Sequence, residues 1–394
     1  MTPPARVQAA IELLDGIILA ARDNGPAADT LIAAYFKARR YAGSKDRRAV
    51  RDLIYAAIRR AGEPPESGRA AMLGLASENA ELAALFDGSP HGPLPRDERE
   101  PVASAAAVPS WLLPLIAAPL DKDEQAALLE RAPLDLRVNR LKASREQVLA
   151  QLPEGVPTSL SPDGVRLPEG TPIEQSPLWR EGLVEVQDEG SQLIARLCEA
   201  QPGQIVIDLC AGAGGKTLAL ASDMQGRGRL IASDTIRSRL ARLAPRAERA
   251  GASFIETLLL DQGHEAGRLE PLAGMADCVL VDAPCSGTGT WRRNPEARWR
   301  LNPLRLERLV AQQARIMDSG AGLVKQGGTM VYAVCSLLDR EGRDQVDAFL
   351  RRNPGWAADL PGDMPGRRWG AGILLSPAHD RTDGFFFTRM KKSC

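Results

Sequence analysis

From about residue 187 onwards, the chain alternates short apolar runs with helical or loop segments. Repeated strand–helix units of this kind predict a parallel β-sheet with helices on both faces. Ligands of such sheets bind in the crevice at the carboxyl ends of the strands. The residues that end the runs are therefore the first candidates for a functional site: Asp208, Asp234, Leu260, Asp282 and Val334.

Two cysteines lie just past predicted strands. Cys285 follows Asp282 in the segment LVDAPCSGTG at 280–289, and Cys335 follows the apolar run MVYAV at 330–334. Two thiols and a carboxylate would converge on one cleft, and this combination suits covalent catalysis on an electrophilic carbon. The SGTG segment after Cys285 is expected to be flexible and polar. The simpler alternative is inert core packing, which we assign to two other cysteines: Cys198 and Cys278.

A Gly-rich turn follows the first of these strands. Residues 205–217, IVIDLCAGAGGKT, predict a strand, a turn and a helix start, where free backbone N–H groups can meet a ligand. A P-loop needs glycine at position 210, where the chain has cysteine, and the dinucleotide pattern GxGxxG fails at Thr217. Asp234, at the end of the next strand, can accept hydrogen bonds from both hydroxyls of a ribose. A site that binds adenosine but lacks a triphosphate loop favours S-adenosylmethionine over a P-loop nucleotide and over a dinucleotide.

A methyl donor beside two thiols suits methylation of a pyrimidine. Carbon 5 of cytosine is a poor nucleophile, but a thiolate that adds to carbon 6 makes the ring enamine-like and able to attack a sulfonium methyl group. Protonation or hydrogen bonding at ring nitrogen 3 assists the addition, a task for a carboxylic acid such as Asp282. The proton on carbon 5 must then leave before the enzyme is released by elimination. A second thiol or a bound water can remove it.

The N-terminal part of the chain predicts helices and carries the densest basic run. Apolar stripes at helical spacing predict helices within 5–61, and residues 86–109 are typical of a Pro- and Gly-rich linker. A small α/β module is predicted next, from strands near 136–142, 164–167 and 183–186 and a helix that starts near Ser144. The basic run is either a solvated helical surface or a patch that contacts RNA phosphates. Its cations are Lys37, Arg39, Arg40, Lys45, Arg47 and Arg48.

The composition limits the class of protein. Lysines and arginines number 50, as do aspartates and glutamates, so any site for a polyanion must be local. The six cysteines form neither CxxC pairs nor clusters with histidine, which argues against a structural metal, and scattered cysteines fit a reducing compartment. No apolar run reaches the roughly 20 residues that span a bilayer. We therefore expect a monomeric, cytoplasmic protein without a metal or a membrane segment.

Together these motifs resemble those of the RsmB/Sun (Fmu) family of RNA cytosine-5 methyltransferases. The resemblance covers nearly the whole chain, and the first 61 residues are similar to the NusB-like helical domain of the RsmB branch. The segments that carry the resemblance are the Gly-rich turn at 210–217, DAPCSGTG at 282–289, RRNPE at 292–296 with Trp299, CS at 335–336, DGFFF at 383–387, QDEGS at 187–191, RVN at 137–139 and SKDRR at 44–48.

The resemblance implies an α/β fold with three parts. A Rossmann-like S-adenosylmethionine-dependent methyltransferase domain would be preceded by an all-helical NusB-like domain and a small α/β module. The implied boundaries are 1–132 for the helical RNA-binding domain with its linker, 133–180 for the module, and 181–394 for the catalytic domain.

The resemblance also implies roles for individual residues. Cys335 would be the nucleophile, Cys285 would help to release the product, and Asp282 would contact the cytosine ring. The cofactor would lie against Cys210, Ala211, Gly212, Ala213, Gly214, Gly215, Lys216, Asp234, Asp261 and Asp282. Three arginines are candidate RNA contacts in addition to the basic run: Arg137, Arg292 and Arg293.

The chain departs from the family pattern at two positions. Ala213 stands where the family usually has proline, which should loosen the turn and weaken cofactor binding, and Val334 stands where threonine is common. The expected activity is methylation of carbon 5 of cytosine in RNA, with ribosomal RNA as the expected substrate. The alternatives are a methyltransferase that acts on tRNA, a non-catalytic RNA-binding or ribosome-assembly factor, and a P-loop NTPase.

Overall fold

The chain forms two compact units in a computed structural model that describes residues 1–23, 25–261 and 263–394. The first unit contains Met1–Arg131 together with Thr290–Pro303, and the second contains Ala132–Gly289 and Leu304–Cys394. The sequence did not indicate that residues after Cys285 would return to the N-terminal unit. The division of the second unit into a module and a catalytic domain stays a prediction.

The described part of the first unit is built from helices. The α-helices are α1 (Pro3–Arg22), α2 (Ala28–Ala38), α3 (Ser44–Arg60), α4 (Gly68–Ala76), α5 (Ala80–Ala83) and α6 (Lys122–Ala127), with 3₁₀ helices at Ser110–Leu115 and Pro295–Arg300. Thr2 caps α1 by accepting a hydrogen bond from the Ala5 backbone N–H, and proline occupies the first helical turn, where its missing N–H costs nothing. The apolar stripes predicted within 5–61 form the core of this unit, in which Leu14, Ile54 and Ile58 are fully buried.

The returning segment Thr290–Pro303 is anchored in the helical core. Arg298 is 1% exposed, and its guanidinium donates hydrogen bonds to the carbonyl oxygens of Ile58, Arg59 (2.6 Å) and Ala107 (2.6 Å). Burial lowers the pKa of Arg298 to about 10, so the group stays charged at neutral pH. Since Ile58 and Arg59 lie in the last turn of α3, this cation satisfies carbonyl groups that a helix end leaves without a partner.

The second unit begins with a small sheet, as the sequence predicts. Its elements are β1 (Leu134–Val138), α7 (Arg145–Leu149), β2 (Val156–Pro157), β3 (Gly164–Leu167), α8 (Pro177–Arg180) and β4 (Val184–Val186), and the strand order is β2-β3-β1-β4. Strand β1 is antiparallel to both β3 and β4. Ser144 and Gln147 form a capping box at the start of α7, where the sequence predicts a helix.

A large mixed sheet follows. Its strands and helices are α9 (Glu189–Leu197), β5 (Ile205–Asp208), α10 (Gly215–Asp223), β6 (Arg229–Asp234), α11 (Arg237–Leu240), α12 (Leu243–Ala250), β7 (Ile255–Leu259), α13 (Glu265–Leu269), β8 (Ala276–Asp282), α14 (Pro303–Leu323), β9 (Val324–Val334), α15 (Arg343–Arg352), β10 (Trp356–Ala358), β11 (Arg367–Trp369), β12 (Gly372–Leu375), α16 (Pro377–Asp380) and β13 (Phe385–Lys392). The strand order is β11-β12-β13-β9-β8-β5-β6-β7, and β10 pairs with β13.

The prediction of a parallel sheet is correct for five neighbouring strands, in the spatial order β9-β8-β5-β6-β7. It is wrong for the strands at the β9 end of the sheet. Strand β13 runs antiparallel to β9, and β12, β11 and β10 are also antiparallel to their neighbours. Parallel neighbours need a crossover of a dozen or more residues. The link 376–384 between β12 and β13 is shorter than that, so the chain turns back beside itself.

The inner parallel strands β5, β6 and β8 are buried on both faces, which explains their apolar runs, whereas the edge strand β7 is partly exposed. Side chains of successive strand residues point to opposite faces. Val206 and Leu280 accordingly pack in one core cluster, whereas Ile207 and Val281 pack in another. Among the described residues, no helix is long and apolar enough to cross a membrane.

Candidate active site

The two cysteines singled out in the sequence meet at the carboxyl ends of adjacent parallel strands. Strands β8 and β9 pair with Asp282 opposite Ala333, so the loops that follow them begin side by side. Cys285 and Cys335 are both half-buried, and their Sγ atoms lie 3.3 Å apart. Cys198 and Cys278 are buried, with exposures of 3% and 2%, in agreement with their assignment to the core.

The loop after Cys285 is polar, as expected, and it is packed against neighbouring segments, while its expected flexibility stays a prediction. Thr288 is buried, and its Oγ1 accepts a hydrogen bond from the Leu337 backbone N–H at 2.8 Å. The Gly289 N–H donates to the Cys335 carbonyl at 3.1 Å, and a Cβ on Gly289 would lie 1.9 Å from the Gly384 carbonyl oxygen. Glycine and threonine therefore allow close packing of the two cysteine loops here.

A buried carboxylate that the sequence did not reveal lies beneath the two cysteine loops. Glu341 is fully buried, and its carboxylate accepts hydrogen bonds from residues next to both cysteines, Ser286 and Ser336, and from Gln313. In the sequence Glu341 lies in the charged run DREGR, which is typical of a solvated turn. A single sequence carries no signal that would have identified it.

The pKa of the Cys285 thiol is raised well above its ordinary value. The largest cause is its hydrogen bond with Cys335, followed by burial and by the negative charges of Cys335 and Glu341. Two thiols at this distance do not ionise together, because the first thiolate opposes the second. Cys285 is therefore held as a neutral thiol while Cys335 lies beside it.

A lysine–aspartate pair lies in the same unit. Lys216 Nζ and Asp282 Oδ2 are 2.7 Å apart, and their side chains are 11% and 29% exposed. Burial alone lowers the pKa of Lys216, but attraction to Asp282, to a thiolate at Cys335 and to Asp208 outweighs burial and raises the pKa overall.

Asp208 is a second acidic group below the Gly-rich turn. Its side chain is buried, and its Oδ2 accepts a hydrogen bond from Thr217 Oγ1 at 2.6 Å. Among the described residues, its Oδ1 has no hydrogen-bond partner. Burial is the main reason that its pKa rises to about 7, and the nearby charge of Asp282 adds to the rise.

The Gly-rich turn has the open backbone that a ligand requires. Gly212 and Gly214 have φ angles of +56° and +84°, in the left-handed region that favours glycine. Space in front of Gly212 is open, since a Cβ there would meet nothing within 4 Å. Helix α10 begins at Gly215, directly after this turn, and the first N–H groups of a helix have no partner within it.

Asp234 is held beside this turn. Its two carboxylate oxygens accept hydrogen bonds from the backbone N–H groups of Gly212 (2.8 Å) and Ile236 (2.7 Å). A carboxylate has about four acceptor positions, so two remain for ribose hydroxyls. Asp261 is exposed after β7, next to Gln262, which lies outside the described residues.

The turn keeps its shape without the proline that the family usually carries. The Gly214 N–H donates to the Ala211 carbonyl at 2.8 Å, and Arg246 Nη1 donates to the Ala213 carbonyl at 2.5 Å. Cys210 in the same turn has a raised thiol pKa because it is buried among carboxylates, so it is not a candidate nucleophile. Weaker cofactor binding caused by Ala213 stays a prediction.

The basic run forms a cluster at the surface of the first unit. Five of its six cations are exposed: Lys37, Arg40, Lys45, Arg47 and Arg48. Arg39 is half-buried and stacks on the Tyr35 ring at 3.6 Å, and Arg47 also donates to the Ala42 carbonyl at 2.9 Å. The intervening Asp46 forms an ion pair with Arg6, so it does not cancel the charge of the cluster.

Arg137 is not available to RNA, contrary to the sequence-based prediction. It is 3% exposed, and its Nε donates to Gln187 Oε1 at 2.7 Å. Burial lowers the pKa of Arg137 to about 10, so the buried group is still a cation. Because strand β1 lies inside the small sheet, its arginine links that sheet to neighbouring elements of the second unit and faces no solvent.

Arg292 and Arg293 belong to the returning segment of the first unit. Arg292 is 7% exposed and donates a hydrogen bond to the Arg131 carbonyl at 3.1 Å, so its predicted contact with RNA is not supported. Arg293 is half-buried and stays a candidate RNA contact. Among the described residues, no group of histidine, cysteine, aspartate and glutamate side chains could hold a metal ion.

Comparison with known proteins places the chain in a family. A family model described as 16S rRNA methyltransferase RsmB/F matches residues 195–391, half of the chain. The chain belongs to this family. A second model, described as the ferredoxin-like domain of RsmF/B-like methyltransferases, matches residues 108–174. The resemblance seen in the sequence is thus confirmed.

Curated relatives agree with this membership. A probable ribosomal RNA small subunit methyltransferase B from Synechocystis is 34% identical over 299 residues, which cover 72% of this chain and 67% of that protein. Ribosomal RNA small subunit methyltransferase B from Salmonella typhi is 35% identical over 272 residues, 67% of this chain and 60% of that protein. The chain thus spans about two thirds of the first of these relatives and less of the second.

Solved structures support the fold class. The crystal structure of PH0851 has a TM-score of 0.77 at 23% identity, and each chain is covered completely. NSun6 from Pyrococcus horikoshii with SFG has a TM-score of 0.62 at 20% identity, covering 69% of this chain and 95% of that one. A methyltransferase homolog protein from the same organism has a TM-score of 0.60 at 25% identity, covering 68% and 89%. The Rossmann-like methyltransferase fold with a small additional module is confirmed, and the N-terminal helices agree with the expected helical domain.

Proposed function

We propose that the protein is an S-adenosylmethionine-dependent methyltransferase that methylates carbon 5 of cytosine in ribosomal RNA through a covalent adduct. The observation that carries this proposal is the 3.3 Å separation of the Cys285 and Cys335 Sγ atoms at the ends of β8 and β9. Two thiols at that distance match a reaction in which one thiol binds the base and a second group assists release. Membership of the 16S rRNA methyltransferase family supports the substrate class.

The residues around the Gly-rich turn fit the cofactor. The open backbone at Gly212 leaves room for a ligand, the start of α10 offers N–H groups, and the Asp234 carboxylate retains two acceptor positions for ribose hydroxyls. Cys210 to Lys216, Asp234, Asp261 and Asp282 would hold S-adenosylmethionine. When bound, the cofactor supplies the methyl group that carbon 5 of cytosine accepts.

Cys335 acts as the nucleophile in this proposal. Its thiolate forms a bond with carbon 6 of the cytosine, and electron density then moves to carbon 5, the position that is methylated. The Lys216 ammonium places a positive charge that interacts with the Cys335 sulfur before the addition. Asp282 contacts the ring as a carboxylate paired with Lys216 rather than as the isolated acid considered from the sequence, because the two side chains are 2.7 Å apart.

Cys285 acts after methylation. The proton on carbon 5 must be removed so that the bond between Cys335 and carbon 6 can break. A thiolate of raised pKa is a strong base that forms rarely. Before the addition, the neutral thiol of Cys285 does not compete with Cys335 for carbon 6. Once Cys335 is bonded to carbon 6 it no longer raises the pKa of Cys285, so Cys285 can release its own proton to solvent and take the carbon 5 proton as a thiolate, or hold the water that takes it.

The alternatives differ in what the protein binds and transfers. A P-loop NTPase would bind ATP with a phosphate loop, and Cys210 stands where that loop needs glycine. A non-catalytic ribosome-assembly factor would have no use for two adjacent thiols. Action on tRNA would use the same chemistry on another RNA. We also propose that the protein works as a monomer in the cytoplasm, where a reducing environment keeps both thiols free.

The proposed function is tested by following labelled methyl groups. Purified protein is incubated with S-adenosylmethionine that carries a tritiated methyl group and with small-subunit ribosomal RNA or bulk tRNA, and the RNA is digested to nucleosides. The proposal predicts labelled 5-methylcytidine from the ribosomal RNA. Label in tRNA alone would redirect the substrate, and binding of ATP with no methyl transfer would contradict the reaction.

A further inference from the structure

We propose that Glu341 is a positioning residue that sets the distance between the Cys285 and Cys335 thiols. The proposal rests on the proposed function for its chemistry. Glu341 lies six positions beyond Cys335, in the turn before α15, and its side chain is fully buried. A buried carboxylate is costly unless every acceptor position is filled, so the identity of its partners indicates what it does.

The carboxylate joins the two cysteine loops. Oε1 accepts the Ser286 backbone N–H at 2.8 Å, and Oε2 accepts the Ser286 hydroxyl and the Ser336 hydroxyl, the latter at 2.5 Å. Ser286 directly follows Cys285, and Ser336 directly follows Cys335. One side chain thus holds the residues next to both thiols.

A fourth hydrogen bond fixes the residue before Cys285. Gln313 Nε2, on α14, donates to Glu341 Oε1 at 2.9 Å and to the Pro284 carbonyl at 2.9 Å. The Glu341 backbone is also held, because the Tyr332 hydroxyl of β9 donates to its carbonyl at 2.6 Å. The carboxylate therefore cannot shift without moving at least one of the two loops.

The number of hydrogen atoms determines the direction of the network. Each serine hydroxyl has a single hydrogen, and both are donated to Glu341 Oε2, so the Thr288 hydroxyl, 3.2 Å from Ser336 Oγ, donates to Ser336. A hydrophobic side chain in place of Glu341 could not accept any of these four hydrogen bonds. Loss of the carboxylate would leave both loops without their common acceptor.

The negative charge of Glu341 also acts on the thiols. It is one of the causes of the raised pKa of Cys285, after the hydrogen bond with Cys335, burial and the charge of Cys335. The hydrogen-bond donors to the Glu341 carboxylate among the described residues are Ser286, Ser336 and Gln313, and none of them lies in the cofactor turn. Glu341 therefore acts through the cysteines, by distance and by charge.

The test compares two substitutions of Glu341 with a matched control. Glu341→Leu fills a similar volume but accepts no hydrogen bond. In Glu341→Gln the amide oxygen can still accept hydrogen bonds from the two N–H groups, whereas the two serine hydroxyls must become acceptors for the amide NH₂ group. Glu189→Leu is the control, because Glu189 is also a buried carboxylate of the second unit and accepts the Ser161 backbone N–H at 2.7 Å. Glu189 binds Leu160, Ser161 and Arg166 rather than the cysteine loops, so its loss reports the cost of losing a buried carboxylate elsewhere.

The first measurement needs neither RNA nor cofactor. Diamide removes one hydrogen from each thiol and is itself reduced while the Cys285–Cys335 disulfide forms, and mass spectrometry follows the cross-linked peptide. Sulfur atoms 3.3 Å apart need to approach to only about 2.05 Å. The proposal predicts rapid cross-linking in wild type and in Glu189→Leu, a rate at least tenfold lower in Glu341→Leu, and an intermediate rate in Glu341→Gln.

The second measurement is steady-state methyl transfer. A misplacement of about 1 Å can reduce turnover about a hundredfold, so kcat should fall by that order in Glu341→Leu, recover partly in Glu341→Gln, and leave KM for RNA within threefold. A wild-type cross-linking rate in Glu341→Leu, or equal slowing in Glu189→Leu, would overturn the proposal. If Glu341→Leu does not fold, Glu341→Gln decides by the same criteria. Failure of both to fold would show a purely structural role.

The cross-linking and methyl-transfer measurements distinguish failure of this proposal from failure of the proposed function. If wild-type protein transfers no methyl group to any RNA, the proposed function fails, yet the cross-linking rates still decide whether Glu341 sets the distance between the thiols.

Discussion

Reversing three charges of the basic cluster would show whether this surface holds RNA. Lys37, Arg40 and Lys45 are exposed, so changing all three to glutamate should leave the helical unit folded. Arg39 and Arg47 are kept, because one stacks on an aromatic ring and the other binds a backbone carbonyl. The chain has no net charge, and RNA affinity must therefore come from a local cluster of this kind.

The size of the effect follows from the number of phosphate contacts that are lost. Each contact with a single strand contributes about 0.7 to the slope of log affinity against log salt concentration. Three lost contacts should therefore make the slope shallower by about 2. When the salt concentration rises fourfold, the factor by which wild-type affinity falls should be about sixteen times the factor by which the variant's affinity falls.

Fluorescence anisotropy with a labelled ribosomal RNA fragment, at several salt concentrations, measures both slopes. The matched control is a triple variant with the same charge change at exposed positions elsewhere: Lys122→Glu, Arg227→Glu and Arg351→Glu. Affinity for S-adenosylmethionine should stay unchanged in both variants. An unchanged slope in the cluster variant, or an equal change in the control, would show that the cluster is a solvated surface that does not bind RNA.

Two further predictions concern buried charges. Replacing Arg298 by methionine should lower the unfolding free energy of the helical unit by about 3 kcal/mol, roughly 1 kcal/mol for each of three carbonyl groups left without a donor; a loss below 1 kcal/mol in urea unfolding would contradict this. Because the pKa of Asp208 is raised to about 7, between pH 4 and 7 the folded protein binds a proton that the unfolded chain has lost. The unfolding free energy of wild type should therefore fall relative to that of Asp208→Asn as pH rises from 5 to 8, by up to about 3 kcal/mol, and parallel pH profiles would exclude this titration.

The strands of the parallel sheet could be predicted closely from the sequence. Their apolar runs end at or beside polar residues, and the predicted ends at Asp208, Asp234, Asp282 and Val334 coincide with the ends of β5, β6, β8 and β9. A run that is apolar throughout must be buried on both faces, and this condition fixes a strand in the interior of the sheet. The two cysteines could be brought together for the same reason, since adjacent parallel strands end at one edge.

The antiparallel edge could not be predicted in this way. The run FFF at 385–387 predicts a buried strand but not its direction. Direction depends on the length of the connection and on which neighbour is free to pair, and β13 pairs with β9, about fifty residues earlier in the chain. Hydrophobic periodicity contains no information about such a partner.

Buried charged residues were the main source of error. Arg137, Arg292 and Glu341 look like surface groups in the sequence, because most charges are solvated. Arg298 can be buried only because its guanidinium donates hydrogen bonds to carbonyl groups that lie 191 to 240 positions away in the chain. Such partners become visible only when the chain is folded, so a single sequence could not distinguish these residues from solvated ones.

The central claim is a covalent bond between Cys335 and the cytosine ring, with Cys285 required for release. The most direct measurement incubates wild type, Cys285→Ala and Cys335→Ala with S-adenosylmethionine and ribosomal RNA and analyses the products on a denaturing gel. We expect a denaturation-resistant protein–RNA adduct in Cys285→Ala, with mass spectrometry locating the linkage at Cys335. We expect no adduct and no methyl transfer in Cys335→Ala. An adduct in Cys335→Ala, or methyl transfer by that variant within about tenfold of wild type, would contradict the account.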